Sequence, residues 1–362
     1  MITSKISVDK LLACRKLITH ANCSDGLASA MILKDVLPNL EVVFVTHNSP
    51  EHENLEPEEG MIFCDFAPVL RTAQRFAEAG ALILDHHKGS KDIVALFGDN
   101  GVFASEKEDP GISGAVLAYE FVWKPLKDSI SGRVTNPYKM GDFARLVGIR
   151  DTWVKSSGEW DKARALNEVL FFYGPEYWLK NITNIEGDVL CLQSLTLGAQ
   201  LLANQERNVQ KTIGEVLRFN VQGKIVQVHQ NLRVTSDLAE ASEPGTDLVV
   251  GFKYLNEKTP EGVDNPCLIF SCRSRNGFDV GTFAKAHGGG GHSAAGGFKV
   301  QVNLGDPNPY QYIRDLVQDY LKPSLFSRIK KWLRSVFTIQ EWKDGALIPI
   351  KPKLTLSAFK GE

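Results

Sequence analysis

The sequence predicts an α/β protein of two lobes: a parallel-sheet N-terminal lobe, a helical connector, and a smaller α/β C-terminal lobe with a mixed sheet. Three observations carry this prediction. Short apolar runs alternate with helical patterns through the first half. A proline-free amphipathic stretch at 186–215 separates this half from the rest of the chain. Beyond it comes a second series of apolar runs, closed by a glycine-rich turn. The expected boundaries are 1–185, 186–215 and 216–322 for these parts, with a basic amphipathic tail at 323–362.

Taken in order, KLITH (16–20) reads as a strand and DGLASAMILKDVL (25–37) as a helix with Asp25 in its first turn. EVVFVTH (41–47), MIFCDF (61–66) and ALILD (81–85) are further strands, the last two separated by a helical pattern ending at Gly80. Helical patterns at about 111–124 and 139–149 come next, then IRDTW at 149–153. In the second lobe VLRFNV, KIVQVHQ, TDLVVGFKYL and CLIFSCRSR read as strands. HGGGGHSAAGGF (287–298) reads as a turn and 307–321 as a helix.

Composition narrows the class. The chain has 362 residues, 43% hydrophobic and 23% charged, which suits a globular protein and not a disordered one. No run approaches the ~20 apolar residues of a membrane span, and Lys, Asp and Arg punctuate the N-terminus. The six cysteines show no CxxC spacing, so reduced thiols and a cytoplasmic location are expected. The net charge of −2 conceals an asymmetry. Eight basic residues (Arg328, Lys330, Lys331, Arg334, Lys343, Lys351, Lys353, Lys360) and three acidic ones (Glu341, Asp344, Glu362) give the tail +5, leaving −7 on the body.

Chemistry-bearing residues accumulate at strand ends: His20, Cys23 and Asp25 after the first strand, Asp65 after MIFC, Asp85-His86-His87 after ALIL, and Asp151 after the apolar LVGIR. In a parallel sheet the carboxyl ends of the strands share one edge, where ligands bind. A single strand-end Asp is usually a cap or turn former. Four segments converging there would crowd carboxylates that repel one another unless cations intervene. Carboxylate with imidazole suits manganese, magnesium, iron or zinc.

H20-A-N-C-S-D25-G26, the lone Asp65, D85-H86-H87 and Asp151 together resemble the four motifs of the DHH phosphoesterase superfamily. GGGGH (288–292), flanked by SCRSR (271–275) and AAGGF (294–298), resembles the signature of its associated C-terminal domain. The resemblance spans about 16–300. It implies a hydrolase acting on phosphoric esters with two divalent ions, manganese first and magnesium second. His20, Asp25, Asp65, His86 and Asp151 match the metal ligands, with Asp65 as the bridging carboxylate. His87 matches a histidine that contacts the scissile phosphate, and Asp85 would orient a neighbour. Arg273, Ser274, the amides of Gly288, Gly289, Gly290 and Gly291, and His292 would meet the substrate.

One position departs from the family's commonest pattern. The first motif usually carries two aspartates two residues apart, whereas here the earlier one is Cys23 and the spacing from His20 is one residue shorter. Cys23 is either a thiolate ligand or a small side chain packed beside the site, the second reading being preferred. The resemblance implies cleavage of short or single-stranded oligonucleotides to nucleoside monophosphates, as in RecJ-like exonucleases and oligoribonucleases. Cyclic dinucleotides or 3′-phosphorylated nucleotides are the alternative substrates, and a weakened nucleotide-binding scaffold the non-enzymatic one. Phe66, Trp153 and Phe278 are the aromatic residues near the motifs that could stack on a base, Trp153 foremost. In LFSRIKKWLRSVF (325–337) apolar residues recur at helical spacing. That helix is expected to contact the acidic body or a second subunit.

Overall fold

The computed structural model describes residues 5–47, 49–105, 107–129, 136–182, 184–230, 232, 234–258, 264–291, 293–302, 308–322, 339–343 and 346–350. The chain divides into two compact units, Met1–Asn208 and Val209–Glu362.

Five short strands form the sheet of the first unit: β1 (Lys16–His20), β2 (Glu41–Val45), β3 (Met61–Cys64), β4 (Leu82–Asp85) and β5 (Gly101–Phe103). Their order is β2-β1-β3-β4-β5 and every pairing is parallel. Period-2 alternation sends Leu17, Ile62, Cys64, Leu82 and Leu84 into one core and Ile18, Met61, Phe63 and Ile83 into another. Both faces are therefore covered, which is why these strands read as continuous apolar runs. The helix Ser24–Val36 is buried along nearly its whole length against the first of these faces. The chain leaves β1 toward β2 on one side and returns to β3 on the other. The carboxyl end of β1 is thus the topological switch point of a doubly wound sheet, where such folds bind ligands.

The apolar LVGIR lies inside the helix Pro137–Asp151, so Asp151 ends a helix and not a strand. A short apolar run buried all round carries the same pattern in either state. The predicted connector is also shorter. Ile185–Asp188 is a separate helical turn, and the long helix begins at Leu192 and ends at Ile213. The helix Trp160–Asn181 before it kinks at Gly174, φ 74°, ahead of Pro175.

The second unit holds a six-stranded mixed sheet of order β10-β11-β9-β8-β7-β6. Its strands are β6 (Leu217–Val221), β7 (Lys224–His229), β8 (Leu248–Lys258), β9 (Asp264–Ser274), β10 (Gly290–Gly291) and β11 (Ala295–Gln301). Only β7 and β8 pair in parallel. Leu248, Val250, Phe252, Leu268, Phe270 and Cys272 face a core with Phe283, Ile313 and Val317 from the helices Val280–Ala286 and Pro309–Leu321. Val249 turns to the opposite face and meets Leu238 and Ala239 of the helix Thr235–Ala241. In the tail, β12 (Ile339–Lys343) and β13 (Ala346–Ile350) form an antiparallel hairpin. The amphipathic helix expected at 325–337 lies outside the described residues.

Candidate metal centre

At the switch point the carboxyl edge collects the predicted ligands. His20 ends β1, Asp65 follows β3 and Asp85 ends β4. Gly26 lets the first turn of the Ser24–Val36 helix close on β1, since a Cβ there would lie 2.4 Å from the His20 carbonyl oxygen. Asp65 has φ 57°, a left-handed conformation that a non-glycine residue adopts at some strain.

His86 Nε2 is the hub, 3.3 Å from Asp65 Oδ1, 3.5 Å from Asp151 Oδ2 and 3.7 Å from Asp25 Oδ2. Ligand atoms within 4.8 Å of one another form three overlapping groups: His20, Cys23 and Asp65; Asp65, His86 and His87; Asp25, His86 and Asp151. Every metal ligand expected from the sequence is in at least one group, and Asp65 belongs to two.

Asp25 is held by residues the motifs do not contain. The Ser113 hydroxyl donates to its Oδ1 at 2.8 Å, the Ala115 N–H to Oδ1 at 2.8 Å and the Gly114 N–H to Oδ2 at 2.6 Å. Gly114 has no alternative, because a Cβ would lie 2.4 Å from the Cβ of Asp65. Asp151 is steadied through Thr152, whose hydroxyl donates to the Gly148 carbonyl at 2.8 Å and accepts the Gly111 N–H at 3.0 Å.

Asp85 works differently. Its Oδ1 accepts the backbone N–H groups of His86 at 2.7 Å and His87 at 3.0 Å, and pairs with His87 Nδ1 at 2.7 Å. Burial alone would raise its pKa, but the His87 charge and these bonds bring it down to about 2. Burial would likewise lower His87, yet Asp85 raises it to about 9. Asp85 therefore fixes the orientation and charge of His87 and stands apart from the three ligand groups.

The other acids are uncomfortable without a cation. Burial, then the charge of Asp25, pushes the Asp65 carboxyl well above its ordinary range and Asp151 up to about 6. Asp151 also faces the negative end of its own helix dipole. Asp65 Oδ2 and His86 Nδ1 are buried and have no hydrogen-bond partner among the described residues. Burying such atoms without partners is expensive, and divalent ions would satisfy the carboxylate oxygen that has none. The donor set of imidazole and carboxylate with one thiol fits such ions. Cys23 Sγ lies within 4.8 Å of the ligand atoms of His20 and Asp65, and burial with the nearby Asp65 charge raises its thiol pKa.

Sequence reasoning passed over His47, just past β2. Its exposed ring stacks on Phe66 at 4.5 Å between centroids and lies 4.8 Å from His20 and 6.3 Å from His87. Its position beyond a strand end was the available signal. Phe66 and Phe278 are buried and cannot offer a face to a base. Trp153 is partly exposed, but Arg150 sits 4.3 Å and Lys155 5.1 Å from its ring centre.

In the second unit Arg273 donates from Nε to the Ser236 hydroxyl at 2.9 Å and from a terminal nitrogen to the Ser271 hydroxyl at 3.1 Å. Ser274 N–H donates to the Ala294 carbonyl at 2.8 Å, tying its strand to the segment after the glycines. The glycine run is more ordered than an open anion cradle. Gly288 and Gly289 N–H groups donate to the Lys285 and Ala284 carbonyls, closing the preceding helix. Those two amides are therefore not available to a phosphate, contrary to expectation. Gly290 and Gly291 form the outermost strand of the sheet, and His292 lies outside the described residues.

Fold and site together define a class: a doubly wound α/β protein with a carboxylate–imidazole centre at its switch point. Among solved structures, the chain is similar to the pGpG-specific phosphodiesterase PggH from Vibrio cholerae, at 16% identity over 84% of this chain and 98% of that one, TM-score 0.44. It is also similar to RecJ in complex with Mn2+ from Thermus thermophilus, at 16% identity over 86% of this chain and 53% of that one, TM-score 0.49. A third is an exopolyphosphatase-related protein from Bacteroides fragilis, at 12% identity over 90% of this chain and 97% of that one, TM-score 0.40. No protein-family model and no curated protein matches the sequence. Among the described residues no helix is long and apolar enough to cross a membrane.

Proposed function

We propose that this chain is a metal-dependent phosphoesterase of the DHH type, hydrolysing phosphodiester bonds of short oligonucleotides to nucleoside monophosphates. The observation that supports it most is the convergence of the Asp25, Asp65 and Asp151 carboxylates on His86 Nε2, with the second Asp65 oxygen buried and without a partner among the described residues. His20, Asp25, Asp65, His86 and Asp151 would hold two divalent ions, manganese or magnesium, with Asp65 shared between them. When bound, such ions supply the Lewis acidity that polarises a phosphoryl group and acidifies water. Asp25, fixed by Ser113, Gly114 and Ala115, keeps its oxygens oriented without reorganisation. His87, protonated through its pairing with Asp85, donates from Nε2 to the oxygen that leaves phosphorus as the P–O bond breaks. Arg273, Ser274 and the outer-strand glycines Gly290 and Gly291 are the residues of the second unit assigned to the substrate.

The test is product analysis with manganese present. The panel holds oligonucleotides roughly two to twenty nucleotides long, bracketing a single-strand binding site, together with cyclic dinucleotides and a 3′-phosphorylated nucleotide. Mononucleotides released from the short oligonucleotides, and lost in Asp65→Ala, support the reading. Cleavage of the cyclic compounds alone would replace its substrate, and an unchanged Asp65→Ala would overturn the site.

A further inference from the structure

We propose that Cys23 supplies a thiolate to the ion position it shares with His20 and Asp65. That position then differs in kind from the one formed by Asp25, His86 and Asp151. The inference rests on the metal-centre reading and deepens it by assigning a ligand and an ion preference.

Three observations carry it. The sulfur and ligand atoms of His20 and Asp65 lie within 4.8 Å of one another, so a small inward adjustment of the side chains brings all three onto one ion with bonds of ~2.0–2.3 Å. Asp65 Oδ2, in a side chain only 1% exposed, has no partner among the described residues. Cys23 occupies the N-cap of the Ser24–Val36 helix in extended conformation, yet its side chain makes no capping hydrogen bond. The usual cap residues at that place are Ser, Thr, Asp and Asn, so a cysteine there is poorly explained by capping.

The consequence is selectivity. A position of one sulfur, one nitrogen and one oxygen favours zinc, cobalt or iron over manganese and magnesium. The Asp25, His86 and Asp151 position, with two carboxylates and an imidazole, retains the preference for harder ions. A centre with unlike positions would load best with two different metals.

Cobalt(II) reports this directly, because a thiolate on cobalt gives a near-ultraviolet charge-transfer band that oxygen and nitrogen ligands do not. Full-length protein stripped of metal is titrated with cobalt, following uptake by equilibrium dialysis and the absorbance together. The expected result is a charge-transfer band in the unmodified protein and in Cys64→Ala, whose sulfur instead donates toward the Gly114 carbonyl. Cys23→Ser and Cys23→Asp should still take up cobalt and show its visible bands but lose the near-ultraviolet band. Uptake without that band in the unmodified protein, or its persistence in both Cys23 variants, overturns the thiolate while leaving the metal centre standing. No cobalt uptake at all overturns both.

Discussion

Replacing Gly114 by alanine tests the least visible support of the centre. A Cβ at this position would lie 2.4 Å from Asp65 Cβ and 3.0 Å from Asp25 Oδ2. Ordinary carbon contacts are ~3.5–4.0 Å, so the segment must retreat by about 1 Å. That retreat stretches the 2.6 Å bond from the Gly114 N–H to Asp25 beyond useful range. Overpacking costs about 1–3 kcal/mol, and the bond to a charged carboxylate is worth about 1.5–3 kcal/mol. The two overlap, because one movement causes both. Losing a group that orients a ligand typically lowers metal affinity ~10–100-fold. Calorimetric titration with manganese should show a loss in that range for Gly114→Ala. In Gly158→Ala, where the new Cβ meets nothing within 4 Å, affinity should be unchanged. A Gly114→Ala protein that binds manganese as tightly as the unmodified chain would refute the claim that this contact positions Asp25.

Three further outcomes are expected. In metal-free protein the raised His87 pKa favours folding below its ordinary 6.5, and this contribution is lost as pH rises through about 9. Asp85→Asn should abolish that slope in denaturant titrations and bring the His87 imidazole resonance back toward an ordinary midpoint. The raised carboxyl pKa of Asp151 acts in the same sense lower on the scale, so metal-free protein loses stability as pH rises from 3.8 through about 6. Added manganese should raise the melting temperature more above that window than below it, by linkage worth ~2.7 kcal/mol at a hundredfold excess over Kd. His47→Ala should raise KM for a short oligonucleotide while leaving manganese uptake unchanged, since the exposed ring sits beside the centre but in none of its ligand groups.

The scaffold was legible where local chemistry matched the global fold. Apolar runs marked β1 through β4 because strands covered on both faces can carry little else. Asp85-His86-His87 stood out because three polar residues directly after such a run fit neither core nor turn. The distinction between strand exit and helix end at Asp151 was not legible, since LVGIR is equally apolar in both. β5, Gly101–Phe103, is three residues long and gives no run to read. The anchor of Asp25 was hidden for another reason. Ser113, Gly114 and Ala115 are unremarkable as a string and act only because tertiary packing brings them to a carboxylate some ninety positions earlier. His47 was passed over because one histidine at a strand exit looks like solvent-facing chain until Phe66 and His20 are seen beside it.

The distribution of strain explains why these groups belong together. Asp25 is stabilised in place by two backbone N–H groups and a hydroxyl, and Asp85 by two N–H groups and an imidazole. Asp65 and Asp151 are treated in the opposite way. One is buried in a left-handed backbone with an unpartnered oxygen, the other ends a helix whose dipole repels it. A fold selected for stability alone would remove such residues, since an apolar replacement of similar volume is often neutral or stabilising. The fixed acids surround the strained ones, with His86 between Asp25, Asp65 and Asp151. Rigid ligands beside unsatisfied ones form an arrangement whose free energy improves on binding divalent cations. Asp65, buried and with an oxygen that has no partner among the described residues, is the place where the metal-free protein is least comfortable.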